Sequence, residues 1–115
     1  YVIAMWKILQ QKKPDDYVIA TGKQLSIRQF INLVTNKLNL KIVWRGKGLN
    51  EKGFDTITKK NIILVDKNYI RPLDVNTLLG NANKARKQLS WKPKTNINQL
   101  IEEMIFEEIN ILNAE

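Results

Sequence analysis

Apolar residues recur at helical spacing from the start of the chain. Val2, Met5, Trp6 and Leu9 set a period that runs through Gln11 and stops at Pro14. Tyr17, Val18, Ile19 and Ala20 form a continuous apolar run that predicts a short buried strand, closed by Thr21 and Gly22. Ser26 and Gln29 have capping-box spacing, in which the serine oxygen and the glutamine amide satisfy each other's orphan groups. They open a helix whose buried face is expected to carry Ile27, Phe30, Ile31, Val34 and Leu38, ending near Asn39. Residues 41–45 alternate, with Ile42 and Trp44 on one face and Val43 on the other, which predicts a second strand. Gly46, Gly48 and Gly53 punctuate a loop, and residues 62–65 read as a third strand.

Beyond Arg71 the signals shorten. Pro72 is placed to open a helical turn. Asn81 is placed to cap a helix over residues 82–89, which Trp91, Lys92 and Pro93 end. The last element is the clearest. Ile97, Leu100, Ile101, Met104, Ile105, Ile109 and Leu112 hold the 3.6-residue period, with Glu102, Glu103, Glu107 and Glu108 on the other face. The order is helix, strand, helix, strand, loop, strand, turn, helix, helix. This is an α/β class of fold: a small mixed layer of few strands with helices beside it. It lacks the regular strand–helix alternation of a complete doubly wound domain. Residues 1–115 make one small domain by length. No capping residue precedes the first helix, so residue 1 is expected to be a cut inside a longer polypeptide.

Composition narrows the chemistry. The chain has no cysteine and no histidine, which removes thiol nucleophiles, thiolate zinc sites and the commonest general base. The net charge of +8 is unevenly spread: residues 1–94 carry +13 and residues 95–115 carry −5. The basic groups form no stripe and 15 of the 19 are lysines, so nucleic acid is not the expected partner. A self-standing basic nucleic-acid-binding module is the alternative of a different class. No apolar run approaches the roughly 20 residues of a membrane span, and the chain is expected to be soluble and cytoplasmic.

The glycine patterns fail as phosphate motifs. Gly46, Gly48 and Gly53 do not have dinucleotide-fingerprint spacing, and Phe54 stands where a P-loop would need lysine. The glutamates of the last helix read as a solvated face. Arg71 and Asp74 are the candidate chemistry. If Pro72 opens a turn, Arg71 occupies a cap position that arginine fills poorly. Its guanidinium and the free N–H groups of the turn would converge as a diphosphate requires. Asp74, three residues on, would accept hydrogen bonds from ribose hydroxyls. A surface ion pair between the two, worth about 0.3 kcal/mol, fits the same residues equally well.

Several segments in order resemble one family. Tyr1-Val2-x-Ala4-Met5-Trp6, Leu9-Gln10-Gln11 and Pro14-Asp15-Asp16-Tyr17-Val18-Ile19-Ala20-Thr21-Gly22 come first. Ser26-x-Arg28-x-Phe30, Gly46-x-Gly48-x-Asn50-Glu51-Lys52-Gly53, Arg71-Pro72, Leu78-Leu79-Gly80 and Leu89-x-Trp91-Lys92-Pro93 follow. Together they resemble the C-terminal portion of the GDP-mannose 4,6-dehydratases, which are extended short-chain dehydrogenase/reductases. The resemblance implies a substrate-binding domain for the nucleotide sugar, with the Rossmann domain absent from residues 1–115. It implies GDP-mannose as partner, NADP as a cofactor bound by the missing Rossmann domain, and a homo-oligomeric parent. The implied lyase reaction takes a hydride from C4 of the mannose, eliminates water across C5–C6 and returns the hydride to C6, toward GDP-fucose. The family's catalytic Thr/Ser, Tyr-x-x-x-Lys pair and glutamate belong to the Rossmann part. No Tyr-x-x-x-Lys occurs here, so residues 1–115 alone are expected to be inactive. Arg71 resembles the arginine that holds the diphosphate in related enzymes, and Asp74 the acid that holds the ribose. Asp74 departs from the glutamate often found in these dehydratases. Another GDP-sugar reductase or epimerase of the superfamily is the near alternative, and the loop from Gly46 to Asp55 favours the dehydratase.

Overall fold

The computed structural model describes residues 1–71, 73, 75 and 77–114. Its elements are α1 (Val2–Leu9), α2 (Ile27–Lys37), β1 (Ile42–Arg45), β2 (Lys52–Asp55), β3 (Lys60–Leu64), α3 (Asn83–Gln88) and α4 (Ile97–Ala114). Short 3-10 turns lie at Gly48–Asn50 and Lys67–Tyr69. The three strands form one antiparallel sheet in the order β1-β2-β3. The chain divides into two compact units: Tyr1–Gln24 with Val75–Asn96, and Leu25–Asp74 with Ile97–Glu115.

The first unit has a small interior, in which three alanines surround one leucine and one tryptophan. Ala4, Ala82, Ala85, Leu89 and Trp91 form the buried cluster, with Ile8, Tyr17, Ile19 and Ala20 packed against it. In α1 the stripe that marks the helix in the sequence, Val2, Met5, Trp6 and Leu9, is exposed, and Ala4 is the buried position. The Lys7 ammonium donates to the Leu89 carbonyl at 2.8 Å and to that of Ser90 at 3.3 Å, tying α1 to the end of α3. Residues 17–20 form no strand. A strand needs a ladder partner as well as an apolar run, and among the described residues they have none. α3 begins one residue later than its sequence predicts. Asn81 Oδ1 still accepts from the Asn83 N–H at 3.0 Å, just outside the first turn.

In the second unit the capping box forms in full. Ser26 Oγ accepts from the Gln29 N–H at 3.1 Å, and Gln29 Oε1 accepts from the Ser26 N–H at 2.8 Å. Replacing Ser26 with Ala is expected to cost about 0.5–2 kcal/mol, read as a lower midpoint in urea at unchanged slope. Phe30, Ile31 and Val34 are half-buried as their period predicts, whereas Ile27 and Leu38 are exposed. Trp44 of β1 donates its indole N–H to Asn32 Oδ1 of α2 at 2.9 Å, which seats the helix on the inner face of the sheet. α2 packs against α4, where Ile101, 1% exposed, is the largest fully buried apolar side chain.

β2 corrects the sequence reading, which places residues 46–53 in a loop. Gly53 lies inside β2, opposite Trp44 and Ile63. A Cβ there would sit 2.7 Å from Ile63 Cδ1 and 2.9 Å from Ile63 Cβ, so glycine is what lets these strands approach. The ladder shifts register between Gly53 and Phe54.

Candidate functional site

Lys67–Tyr69 makes one 3-10 turn, with Asp66 Oδ1 accepting from the Asn68 N–H at 2.9 Å. Ile70 then returns to extended backbone, and Arg71 follows it as an exposed residue. Among the described residues its guanidinium has no ion pair and no hydrogen-bond partner. A guanidinium carries five N–H donors in a planar fork, which suits an anion. Tyr69 and Leu73 on either side are also strongly exposed. Pro72 and Asp74 lie outside the described residues, as does the helical turn expected to begin at Pro72.

Two residues of the resembling segments meet although 23 positions separate them. Arg28 on α2 pairs with Glu51, which leads into β2, and its guanidinium lies 5.2 Å from the Trp44 ring centre. Arg28 therefore bridges the helix, β1 and the loop before β2. Sequence reading misses this contact because no local period links the two positions. On the outer face of the sheet Arg45 lies 3.8 Å over the Phe54 ring.

Thr21, Gly22 and Gly80 also acquire a physical reason. Gly22 has φ +75, where glycine is favoured, and Arg86 reaches the Thr21 carbonyl at 3.3 Å beside it. A Cβ on Gly80 would lie 2.6 Å from the Ala20 Cβ. Gly22, residues 79–83 and Arg86 line a shallow concavity.

The most perturbed acid among the described residues is structural. Asp55 is fully buried at the β2–β3 turn. Its carboxylate accepts from the Thr58 hydroxyl at 2.6 Å and from the N–H groups of Thr58, Ile57 and Lys41 at 3.0–3.3 Å. The Thr58 hydroxyl is the main cause that holds its pKa at about 2, below the ordinary 3.8, against the upward push of burial. The folded pKa is the lower one. The stabilisation is therefore complete above about pH 4 and is lost as the pH falls through about 2. Thermal melts between pH 5 and 2 should show this loss, and Asp55→Asn should start lower and remove that part of the slope.

No group of three or more His, Cys, Asp or Glu side chains gathers as a metal site among the described residues. No helix among them is long and apolar enough to cross a membrane. The family profile described as GDP-mannose 4,6 dehydratase matches residues 1–104. GDP-mannose 4,6 dehydratase 2 of Caenorhabditis elegans is 46% identical over 100% of this chain and 30% of its own length. The GDP-mannose 4,6 dehydratase of Dictyostelium discoideum is 43% identical over 97% of this chain and 32% of its own. The human GDP-mannose 4,6 dehydratase is 39% identical over 99% of this chain and 31% of its own. The chain thus spans about a third of the length of these curated relatives.

Proposed function

The chain belongs to the GDP-mannose 4,6-dehydratase family, and on that premise we propose that it supplies the nucleotide-sugar-binding part of such an enzyme. In this reading residues 1–115 form a C-terminal substrate domain, and the whole enzyme converts GDP-mannose to GDP-4-dehydro-6-deoxy-mannose in the cytoplasm. The observation that carries the reading is the match along the whole chain at 46% identity to a relative named for this activity. The exposed Arg71, which belongs to one of the resembling segments, is consistent with it.

NADP supplies hydride chemistry when bound, but the residues described here do not fit it. A dinucleotide site needs a strand that feeds a glycine turn and then a helix N-terminus. Here β1 is followed by Gly46 and Gly48 and then by its antiparallel partner β2. The cofactor and the catalytic groups are therefore assigned to the remainder of the enzyme. Arg71 would grip the diphosphate oxygens in a planar fork and set the sugar's distance from that catalytic part. Asp74 would accept from the ribose hydroxyls and fix rotation about the diphosphate.

A chimera tests this directly. The corresponding segment of the C. elegans relative is replaced by residues 1–115, and the NADP-loaded protein is assayed with GDP-mannose. The expected result is dehydratase activity in the chimera and neither activity nor NADP binding in residues 1–115 alone. A folded, NADP-loaded chimera that does not bind GDP-mannose would overturn the proposal.

A further inference from the structure

Three of the segments that carry the family resemblance belong to the second unit, and the topology brings them to one end of its sheet. β1 ends at Arg45 and β3 at Leu64, and both residues pair with Lys52, the first residue of β2. The loop from Gly46 to Glu51 therefore lies at the same end as the segment that leaves β3 toward Arg71. Arg71 is seven residues past Leu64, and a 3-10 turn takes up three of them, so Arg71 stays within about 20 Å of this end. The start of α2 is there too, because Arg28 in its first turn meets Glu51.

Arg28 stands where its helix does not favour it. It is the second residue of α2, and the first turn of α2 contains no acid. The partial positive charge of a helix N-terminus suits acids and opposes a cation. Yet this cation is held from two sides. Glu51 accepts from its Nη2, and the guanidinium lies 5.2 Å from the Trp44 ring centre. Both supports are themselves fixed. The Glu51 side chain is only 20% exposed, and the Trp44 indole is bound to Asn32 at 2.9 Å. Glu51 engages one terminal nitrogen, short of the two-bond fork that joins arginine and carboxylate most fully. A side chain that breaks a local rule while its neighbours hold its orientation marks a working position.

The charge at this end points to the ligand. Residues 45–52 and 65–71 hold five basic and two acidic side chains, to which α2 adds Arg28. Both acids are engaged, Glu51 by Arg28 and Asp66 by the Asn68 N–H at 2.9 Å. Crowded like charges repel, and a polyanion among them removes that cost.

We propose that Arg28 is a second arginine of the nucleotide-sugar site, binding the diphosphate together with Arg71, and that Glu51 is the positioning residue that aims it. The inference rests on the nucleotide-sugar reading and adds residues to that same site. It also gives the Gly46-x-Gly48-x-Asn50-Glu51 segment a purpose. Gly46 has φ +80, and a Cβ there would lie 2.3 Å from the Asn50 carbonyl oxygen. Only glycine lets the loop close so tightly, and the closed loop delivers Glu51 to Arg28.

The test uses the NADP-loaded chimera and steady-state kinetics with GDP-mannose. Arg28→Ala is expected to raise KM for GDP-mannose at least tenfold at nearly unchanged kcat, as loss of a charge-assisted bond remote from the reacting carbons should. Arg28→Lys should recover only part, because a point charge lacks the planar fork. Glu51→Gln should raise the same KM about threefold, since the arginine remains but is no longer aimed. Added to Arg28→Ala, it should change KM no further, because Glu51 acts only through Arg28. NADP affinity should stay constant throughout, and circular dichroism checks that each variant is folded. An ordinary structural bridge would lower the melting temperature and leave KM alone, and that result overturns the proposal. A further rise in KM when Glu51→Gln is added to Arg28→Ala overturns it as well. Should Arg28→Ala not fold, Arg28→Lys carries the test, with a raised KM expected and an unchanged one overturning. An unmodified chimera that binds no GDP-mannose instead overturns the underlying reading, so the two failures are told apart.

Discussion

Replacing Arg71 with alanine in the chimeric dehydratase should lower kcat/KM for GDP-mannose by roughly 10- to 150-fold. The magnitude follows from the bonds removed. A hydrogen bond to a charged group contributes about 1.5–3 kcal/mol, and about 1.4 kcal/mol is a factor of ten. Arg71 is exposed and has no ion-pair partner among the described residues, so its removal should not disturb the fold. The loss should fall mainly on KM, because a diphosphate remote from the reacting carbons is held alike in ground and transition states. Lysine at position 71 should recover only part, as a point charge does not match two oxygens at once. Asp74→Ala should cost less, about 1–2 kcal/mol, since the bonds it removes go to neutral hydroxyls. NADP affinity should be the same in all three variants. Steady-state kinetics with GDP-mannose decide the matter: kcat/KM for Arg71→Ala within twofold of the parent would make Arg71 an ordinary surface residue.

Ile101→Ala is the substitution expected to damage the fold most. Ile101 is 1% exposed and is the only buried residue of α4, so its loss leaves a cavity that its neighbours cannot fully close. The expected cost is about 2–5 kcal/mol, a large part of the roughly 5–15 kcal/mol typical of a whole domain. Ile101→Val should cost only about 0.5–1.5 kcal/mol. Urea unfolding of the three chains measures both differences. A change below 1 kcal/mol for the alanine variant would mean that α4 is not anchored by this side chain.

Elements whose cause is local were readable in the sequence. The Ser26–Gln29 box needs only four residues, and the α4 period repeats within one helix. β1 was readable for the same reason, since its alternation lies within four residues. The failures share the opposite property. Residues 17–20 have strand composition, but a strand is a property of two segments, and no partner pairs with them among the described residues. β2 has little strand composition and exists because Ile42 and Ile63 close over Gly53 from both sides. The apolar period of α1 marks the helix but not its buried face, since its buried position is one alanine and its large apolar residues are exposed. Arg71 stood out because it breaks a capping rule, and Asp74 rested on its spacing from Arg71 and on family resemblance. The Arg28–Glu51 pair had no signal within reach of a sequence period.

The small interior of the first unit has a thermal consequence. Alanine gives up no side-chain entropy on folding, but it also withdraws little apolar surface from water. Three of the five residues of the buried cluster are Ala4, Ala82 and Ala85, with Leu89 and Trp91 the only large ones, while many of the larger apolar residues stay in solvent. The heat-capacity change of unfolding grows with the apolar area exposed and is usually about 12–15 cal/mol/K per residue. This chain should fall below that range, so its stability curve is broad and shallow. Cooling then weakens the fold little, and heating erodes it gradually through a wide transition.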